Sequence, residues 1–566
     1  MNRIWKFGWT CILALCLAVS VANAQAQAVL EHVPANADRV FVFASLQGLS
    51  DDLLTLGQLT GMQQMVPPNP LLMMQAESGL MLGVDANAPA VIMLNGKIPT
   101  RPGGDDSVMS MLLPMTTKDQ FMQNFADLKV DDHDGGIQSA NLKGEVIYFK
   151  PITDKYVLMS DNLDQVSSYK KPAADHWLKQ QGKICVDQLS KSDLVIFYSP
   201  DALKKDIPDS APMGLSMPMK MDDAMKDVQG AAASFTVNAN GIDLGFAMQF
   251  KPDTPWQSFF AKAPAQKISG FEMMPDRAWI LASKVMLSHL DLQQFSDNII
   301  ASLPEDQKPA VDTKPIFEAM SGYEKLEQML VADAQGQWKV VNALKHPGYT
   351  KEMFARFQQS LADAQTQLAQ NPQVPVTFEN QSDTLDIPGA LGTHVLTIKS
   401  NDEMINQGMM RNAGTDALKV YFAYTDKGVV SVMGDEDLLK RSIEALATDD
   451  LETALGKTTQ VLQVNLPDDC FAAGYMNLTQ TIRFVQTMML KNPATAQYAM
   501  ILSMIQLPED MPPIVGNIAN TDGGVRFGVF LPSKTVSITT QRVKQLWMMM
   551  APMLNPQQPQ PEMQIQ

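Results

Sequence analysis

The sequence predicts an α+β fold, built as two tandem related domains with antiparallel sheets and packed helices. Three observations carry this expectation. Landmarks recur in the same order in both halves of the chain, hairpin-type turns separate many of the apolar runs, and helix-like stretches regularly intervene. Hairpins imply antiparallel pairing, because parallel strands need long crossovers.

The first landmark is a proline followed by an apolar run, Pro34 before Val40 to Ala44 and Pro275 before Ala278 to Ala282. The second is a strand entering a helix through a capping box, Thr117-x-x-Gln120 and Ser400-x-x-Glu403. In such a box a hydroxyl and a side-chain carbonyl satisfy unpaired backbone donors reciprocally. The third is a hairpin turning at Thr153-Asp154-Lys155 and again at Thr425-Asp426-Lys427-Gly428. Each of its second strands runs to an aspartate, Asp161 or Asp435, placed to cap a following helix. The fourth is a late hairpin at Asn238-Ala239-Asn240-Gly241 and at Asn520-Thr521-Asp522-Gly523-Gly524, where Asn-Gly and Asp-Gly supply the positive φ such turns require. The second copy carries an insertion ahead of its capping box. There Met353, Phe357, Leu361, Ala364 and Leu368 recur at helical spacing until Asn371-Pro372 ends the pattern. The resulting division is a first domain over 28–263, a second over 264–540, and a C-terminal segment 541–566 ending in a Pro/Gln tail too polar to fold.

Residues 1–24 read as a secretory signal peptide. Arg3 and Lys6 open it, Cys11 to Val21 form its apolar run, and Ala22-Asn23-Ala24 is a small-x-small cleavage site. The run is well short of the about 20 apolar residues a membrane span needs. The mature chain is therefore expected to be exported, periplasmic or extracellular, with no transmembrane segment. Cys185 and Cys470 then remain, two cysteines beside apolar stretches, expected as buried free thiols rather than a disulfide framework.

Val33-Pro34-Ala35-Asn36-Ala37 and Leu466-Pro467-Asp468-Asp469 share a Leu-Pro-like module opening, and Asp161-Asn162-Leu163 forms a matching helix entry. In these features the chain resembles a group of exported bacterial tandem-domain proteins of unknown role. The resemblance implies a tandem extracytoplasmic fold and brings no activity with it.

Charge excludes more. The 566 residues hold 44 Lys and Arg against 61 Asp and Glu, a formal net charge of −17. Neutralising nucleic-acid phosphates requires a basic footprint that this chain lacks, so no nucleic-acid partner is expected, and an anionic lipid surface would repel it. Nor do the expected signatures of catalysis appear. The 6 histidines are scattered singly, with no Cys-x-x-Cys or His-Glu-x-x-His, so no metal or other cofactor is expected. Asp131-Asp132-His133-Asp134-Gly135-Gly136 looks like a calcium loop, but Lys143 falls where a bidentate glutamate is needed. Ser168-x-x-Lys171 lacks its partner motifs. Adjacent acids such as Asp105-Asp106, Asp222-Asp223, Asp449-Asp450 and Asp468-Asp469 project away from one another and read as solvated turns and caps.

Methionine is the compositional anomaly, with 39 residues. Met213, Met217, Met219, Met221 and Met225 precede the late hairpin of the first copy; Met488, Met489, Met500, Met504 and Met511 precede that of the second. Three readings compete: adaptable core filling, an accommodating apolar surface for a ligand or protein partner, and a copper(I) site from Met217-x-Met219-x-Met221. The sequence thus points to an exported, non-catalytic binding or scaffold protein whose Met-rich regions contact an apolar ligand or a protein. The alternatives are an extracytoplasmic hydrolase with a site between the repeats, and a copper(I)-binding protein.

Overall fold

The computed structural model describes residues 28–554 except 97–106, 174–175, 207–224, 263–267, 269–270, 276–277, 289, 295–296, 299–321, 333–335, 370–375, 401, 404–406, 408–414, 416, 449–465, 467–469, 492–494 and 522. The signal-like segment, the four adjacent acid pairs and the Pro/Gln tail lie outside these residues.

Ten strands come from the first half of the chain: β1 (Arg39–Phe43), β2 (Ala90–Gly96), β3 (Ser107–Pro114), β4 (Val130–His133), β5 (Ile137–Leu142), β6 (Glu145–Pro151), β7 (Tyr156–Ser160), β8 (Leu194–Tyr198), β9 (Val228–Asn238) and β10 (Gly241–Phe250). Ten follow: β11 (Leu281–Met286), β12 (Lys325–Ala332), β13 (Trp338–Lys345), β14 (Val376–Ser382), β15 (Gly392–Ser400), β16 (Ala417–Thr425), β17 (Gly428–Met433), β18 (Cys470–Met476), β19 (Ile514–Thr521) and β20 (Gly524–Pro532). Helices used below are α1 (Leu46–Thr60), α2 (Pro70–Ser78), α3 (Lys118–Met122), α4 (Leu163–Ser167), α5 (Lys351–Ala369), α6 (Glu436–Thr448), α7 (Leu478–Leu490), α8 (Ala496–Ser503) and α9 (Ser533–Leu554).

The expected fold class is overturned. In place of two α+β domains with a sheet each, the strands of the described residues form one large, mostly antiparallel sheet of 20 strands, with about 36% of those residues in helix and 36% in strand. The physical reason is an edge. β10 would otherwise expose a row of unpaired N–H and C=O groups, and β20 pairs with it from Gly241↔Pro532 to Gln249↔Gly524. The chain divides into two compact units, and β20 belongs to the first through Asn520–Ser533.

In the first unit, the order of paired strands is β4, β5, β6, β7, β3, β2, β1, β8, β9, β10, β20. In the second, the order is β14, β15, β16, β17, β13, β12, β11, β18, β19. The same order therefore appears twice. The first unit's core gathers alternate residues of neighbouring strands, Val40 and Val42 with Val91 and Met93, and Val195 with Phe197. Trp177 seals it, its indole N–H donating to the Val33 carbonyl at 3.0 Å. In the second unit, Met353, Phe357 and Leu361 of α5 pack against Phe422, Tyr424 and Leu396, as their helical spacing predicts.

The hairpin landmarks form as their turn residues require. Thr153 Oγ1 accepts from the N–H groups of Lys155 and Tyr156, and Thr425 Oγ1 from that of Lys427. Gly241 and Gly428 open second strands at φ 149°, and a Cβ would come within 2.1 Å of the Leu531 carbonyl oxygen or 2.0 Å of the Leu344 one. No side chain fits there.

Two expected equivalences differ. Asn162, not Asp161, caps α4, accepting from the N–H of Asp164 at 2.8 Å, whereas Asp435 does cap α6 through the Leu438 N–H at 3.1 Å. Thr117 caps α3 after β3, and its counterpart after β13 is Thr350 before α5, which accepts from the Met353 N–H. Ser400 ends β15 and holds a different place in the strand order. Gln120 turns its side-chain oxygen to the Thr116 hydroxyl instead of closing a reciprocal box.

The second unit buries an ionic cluster under β11, β12 and β13. Glu327 is fully buried; its carboxylate accepts from the N–H groups of Glu272 and Met273 and lies 3.3 Å from the Lys284 ammonium. Glu272 also pairs with Lys325, and Lys345 stands 3.7 Å away. Burial, then the Lys284 charge, holds the Lys325 ammonium below its usual pKa. Removing one partner of such a pair strands a buried charge. Glu327→Ala is expected to cost about 3–5 kcal/mol in urea unfolding at neutral pH. Glu379→Ala, which breaks the exposed pair with Lys399, is expected to cost about 1 kcal/mol or less.

Candidate functional site

Met213, Met217, Met219 and Met221 lie outside the described residues, and the copper(I) expectation lies there with them. Met225 is buried just before β9. The second cluster splits: Met488 and Met489 are half-buried on α7 and Met511 is buried, whereas Met500 on α8 and Met504 at its C-cap are 66% and 53% exposed.

The local sequence explains this split. Asn477 starts α7 by accepting from the Gln480 N–H at 3.1 Å, and α7 packs on α8. The α8 sequence, AQYAMILS, is apolar on most of its circumference, yet only Ala499 is fully buried. A helix that covers one face with such a sequence leaves apolar groups outward. Met500 and Met504 are one turn apart and share a face; Leu490 and Tyr498 are exposed on the same helix pair.

Sequence reasoning missed a second methionine-bearing surface. In the first unit, Met62, Met65, Met73 and Met81 are exposed with Leu72 and Leu82 around α1 and α2. Ser45 and Asn69 cap these helices through the Gly48 and Leu72 N–H groups, and Gly61 and Gly79 end them in the left-handed conformation. The available signal was the crowding of Met62, Met65, Met73, Met74 and Met81 around the turn Pro67-Pro68-Asn69-Pro70. Val543, Trp547 and Met548 are likewise exposed on α9.

It also missed a small cavity in the first unit, about 50 Å³, where Met109, Met111 and Met159 meet Leu80, Leu142 and Ile147. Met111 stands directly opposite Met159, and Met109 is two residues along on the same face of β3. The Ser160 hydroxyl at its rim donates to the Met109 carbonyl. The lining is apolar, so the cavity is suited to a methyl or methylene group rather than to a hydrogen-bonded water.

The other candidates resolve locally. The Asp131 to Gly136 segment forms β4 and the turn into β5, with His133 Nε2 2.8 Å from Ser139 Oγ. Ser168 closes α4. Cys185 and Cys470 are free and buried, and burial pushes the Cys185 thiol up to about 12. Among the described residues, no group of three or more His, Cys, Asp or Glu could hold a metal ion, and no helix is long and apolar enough to cross a membrane. Comparison with protein-family models, curated proteins and solved structures finds no match to the chain.

Buried and exposed methionines make separable contributions. Met159→Ala, at 2% exposure, is expected to lower unfolding free energy by about 2–5 kcal/mol. Met500→Ala should stay within about 0.5 kcal/mol of the parent in the same denaturant titration.

Proposed function

We propose that the chain is an exported binding protein whose methionine-bearing helix surface receives an apolar, positively charged segment of another polypeptide. The observation that carries this reading is the exposed pair Met500 and Met504, one turn apart on a helix too apolar for its own burial. Unbranched thioethers repack around varied apolar shapes, which suits a surface that accepts more than one sequence. The formal charge of −17 favours a cationic partner and disfavours anionic lipid. No chemistry is required of these side chains; they exclude water from the partner's apolar groups. The place of action is the periplasm or the cell exterior.

Fluorescence anisotropy with a labelled amphipathic peptide rich in Leu and Lys tests this reading. Met500→Ser combined with Met504→Ser should weaken binding about tenfold or more, since burying one such side chain is worth about 1.5–3 kcal/mol. Unchanged affinity in the folded double variant, or tighter binding to phosphatidylglycerol vesicles than to the peptide, overturns it.

A further inference from the structure

The hairpin of β14 and β15 carries a polar relay that the sequence does not advertise. Ser382 is paired directly with His394 across the two strands, and its Oγ lies 3.2 Å from His394 Nδ1. On the other side of the ring, His394 Nε2 lies 3.0 Å from Asn380 Oδ1. The Asn380 amide donates in turn from Nδ2 to Gln365 Oε1 of α5, at 2.7 Å. Gln365 returns a longer bond from Nε2 to Asn380 Oδ1 at 3.5 Å, so the two amides are paired reciprocally. In the arrangement where Asn380 turns its oxygen to the ring, an Nε2–H donates to it. Nδ1 is then the unprotonated nitrogen, and the Ser382 hydroxyl is its donor.

Burial alternates along this row. Gln365 and His394 are 6% and 4% exposed, while Asn380 and Ser382 are open to solvent. A reagent can reach the hydroxyl, and the His394 ring behind it is held by burial. Burial also lowers the His394 pKa, opposed by the Asp383 charge, so the ring is neutral near pH 7. The backbone adds a donor. Asp383 N–H is bonded to the Thr393 carbonyl of the β15 side, so the Ser382 N–H, one residue earlier, points off the opposite edge of β14. Among the described residues, no second strand pairs with that edge.

We propose that Ser382 is the nucleophile and His394 the general base of an acyl-transfer site acting on short-chain carboxylic esters. The site lies wholly within the second unit and is independent of the methionine surface. Ser382 Oγ bonds to the ester carbonyl carbon while its proton passes to His394 Nδ1, and the Ser382 N–H faces the developing oxyanion. The bond from that carbon to the alcohol oxygen then breaks, and the departing oxygen takes the proton from Nδ1. Water attacks the acyl-serine, gives its proton to Nδ1, and the carboxylic acid leaves as the proton returns to Ser382 Oγ. Asn380 and Gln365 are positioning residues that fix the ring's tautomer.

The test is labelling of the full chain with a fluorophosphonate probe, with the modified peptide identified by mass spectrometry, alongside p-nitrophenyl acetate hydrolysis. Label on Ser382, lost in Ser382→Ala, is the expected result; this variant changes an exposed side chain and leaves the fold intact. His394→Gln should slow labelling about 100-fold, the lower range for loss of a general base. Asn380→Ala should reduce kcat with KM unchanged, which a purely structural asparagine would not do. An unlabelled Ser382 in the folded parent, or equal labelling rates in the parent and His394→Gln, overturns the proposal.

Discussion

Antiparallel register is the constraint on which the rest of this structure depends. Residues directly opposite in neighbouring strands share a face, and their contacts are fixed once the pairing is fixed. Three features described above are such pairs: Lys284 with Glu327, Met111 with Met159, and Ser382 with His394. The opposite face of β11 and its neighbours uses the same rule for a different purpose. Ser283, Gln328, Asn342 and Ser431 are successive partners across β11, β12, β13 and β17, and their side chains hydrogen-bond in one row at 3.3, 2.9 and 3.2 Å. A polar ladder and a buried ionic cluster thus occupy adjacent positions of the same strands, separated by the strand period of two.

Where strands do not satisfy one another, helices and side chains do, with consequences for binding. Capped helices such as α1, α2 and α7 bury part of their apolar surface and leave the rest outward. Methionine takes up much of the excess. Inside, at Met93, Met115 and Met159, it fills the core; outside, at Met65, Met73 and Met500, it remains in water. The two populations share a chemistry but not a role, and composition cannot separate them, because burial is decided by which face of a strand or helix each residue occupies.

What could be read from the sequence was local. The Thr-Asp-Lys and Asn-Gly turns, the amphipathic α5 and the Asp435 cap rest on contacts within a few residues, and each appears in the structure. The unity of the sheet was not legible, because the pairing of β10 with β20 joins segments nearly 300 residues apart and leaves no periodic signal in either. The mistaken equivalence of Thr117 and Ser400 has the same origin. Both are hydroxyl residues at strand ends, and only strand order reveals that Thr350 takes the corresponding place. The Ser382 and His394 pair was hidden more thinly: both flank a short connection with Gly389 and Gly392, and an assumed hairpin would have brought them together.

Register also accounts for a buried ion pair that hydrophobic residues could replace without loss of stability. Taking Lys284 and Glu327 out of water costs several kcal/mol per ion, only partly offset by their attraction and by the backbone donors on Glu327. The return is specificity. Sliding β12 by one residue against β11 would set Gln328 opposite Lys284 and turn Glu327 to the polar face, leaving a buried ammonium without its carboxylate. A Val or Leu pair would penalise the same slip far less, since apolar side chains find substitutes on either face of so broad a sheet. In a sheet of this many strands each pairing inherits the register of the last, so one position that admits a single alignment constrains its neighbours on both sides. On this argument the cluster beneath β11, β12 and β13 serves alignment more than stability, and the ladder on the opposite face repeats the instruction in hydrogen bonds.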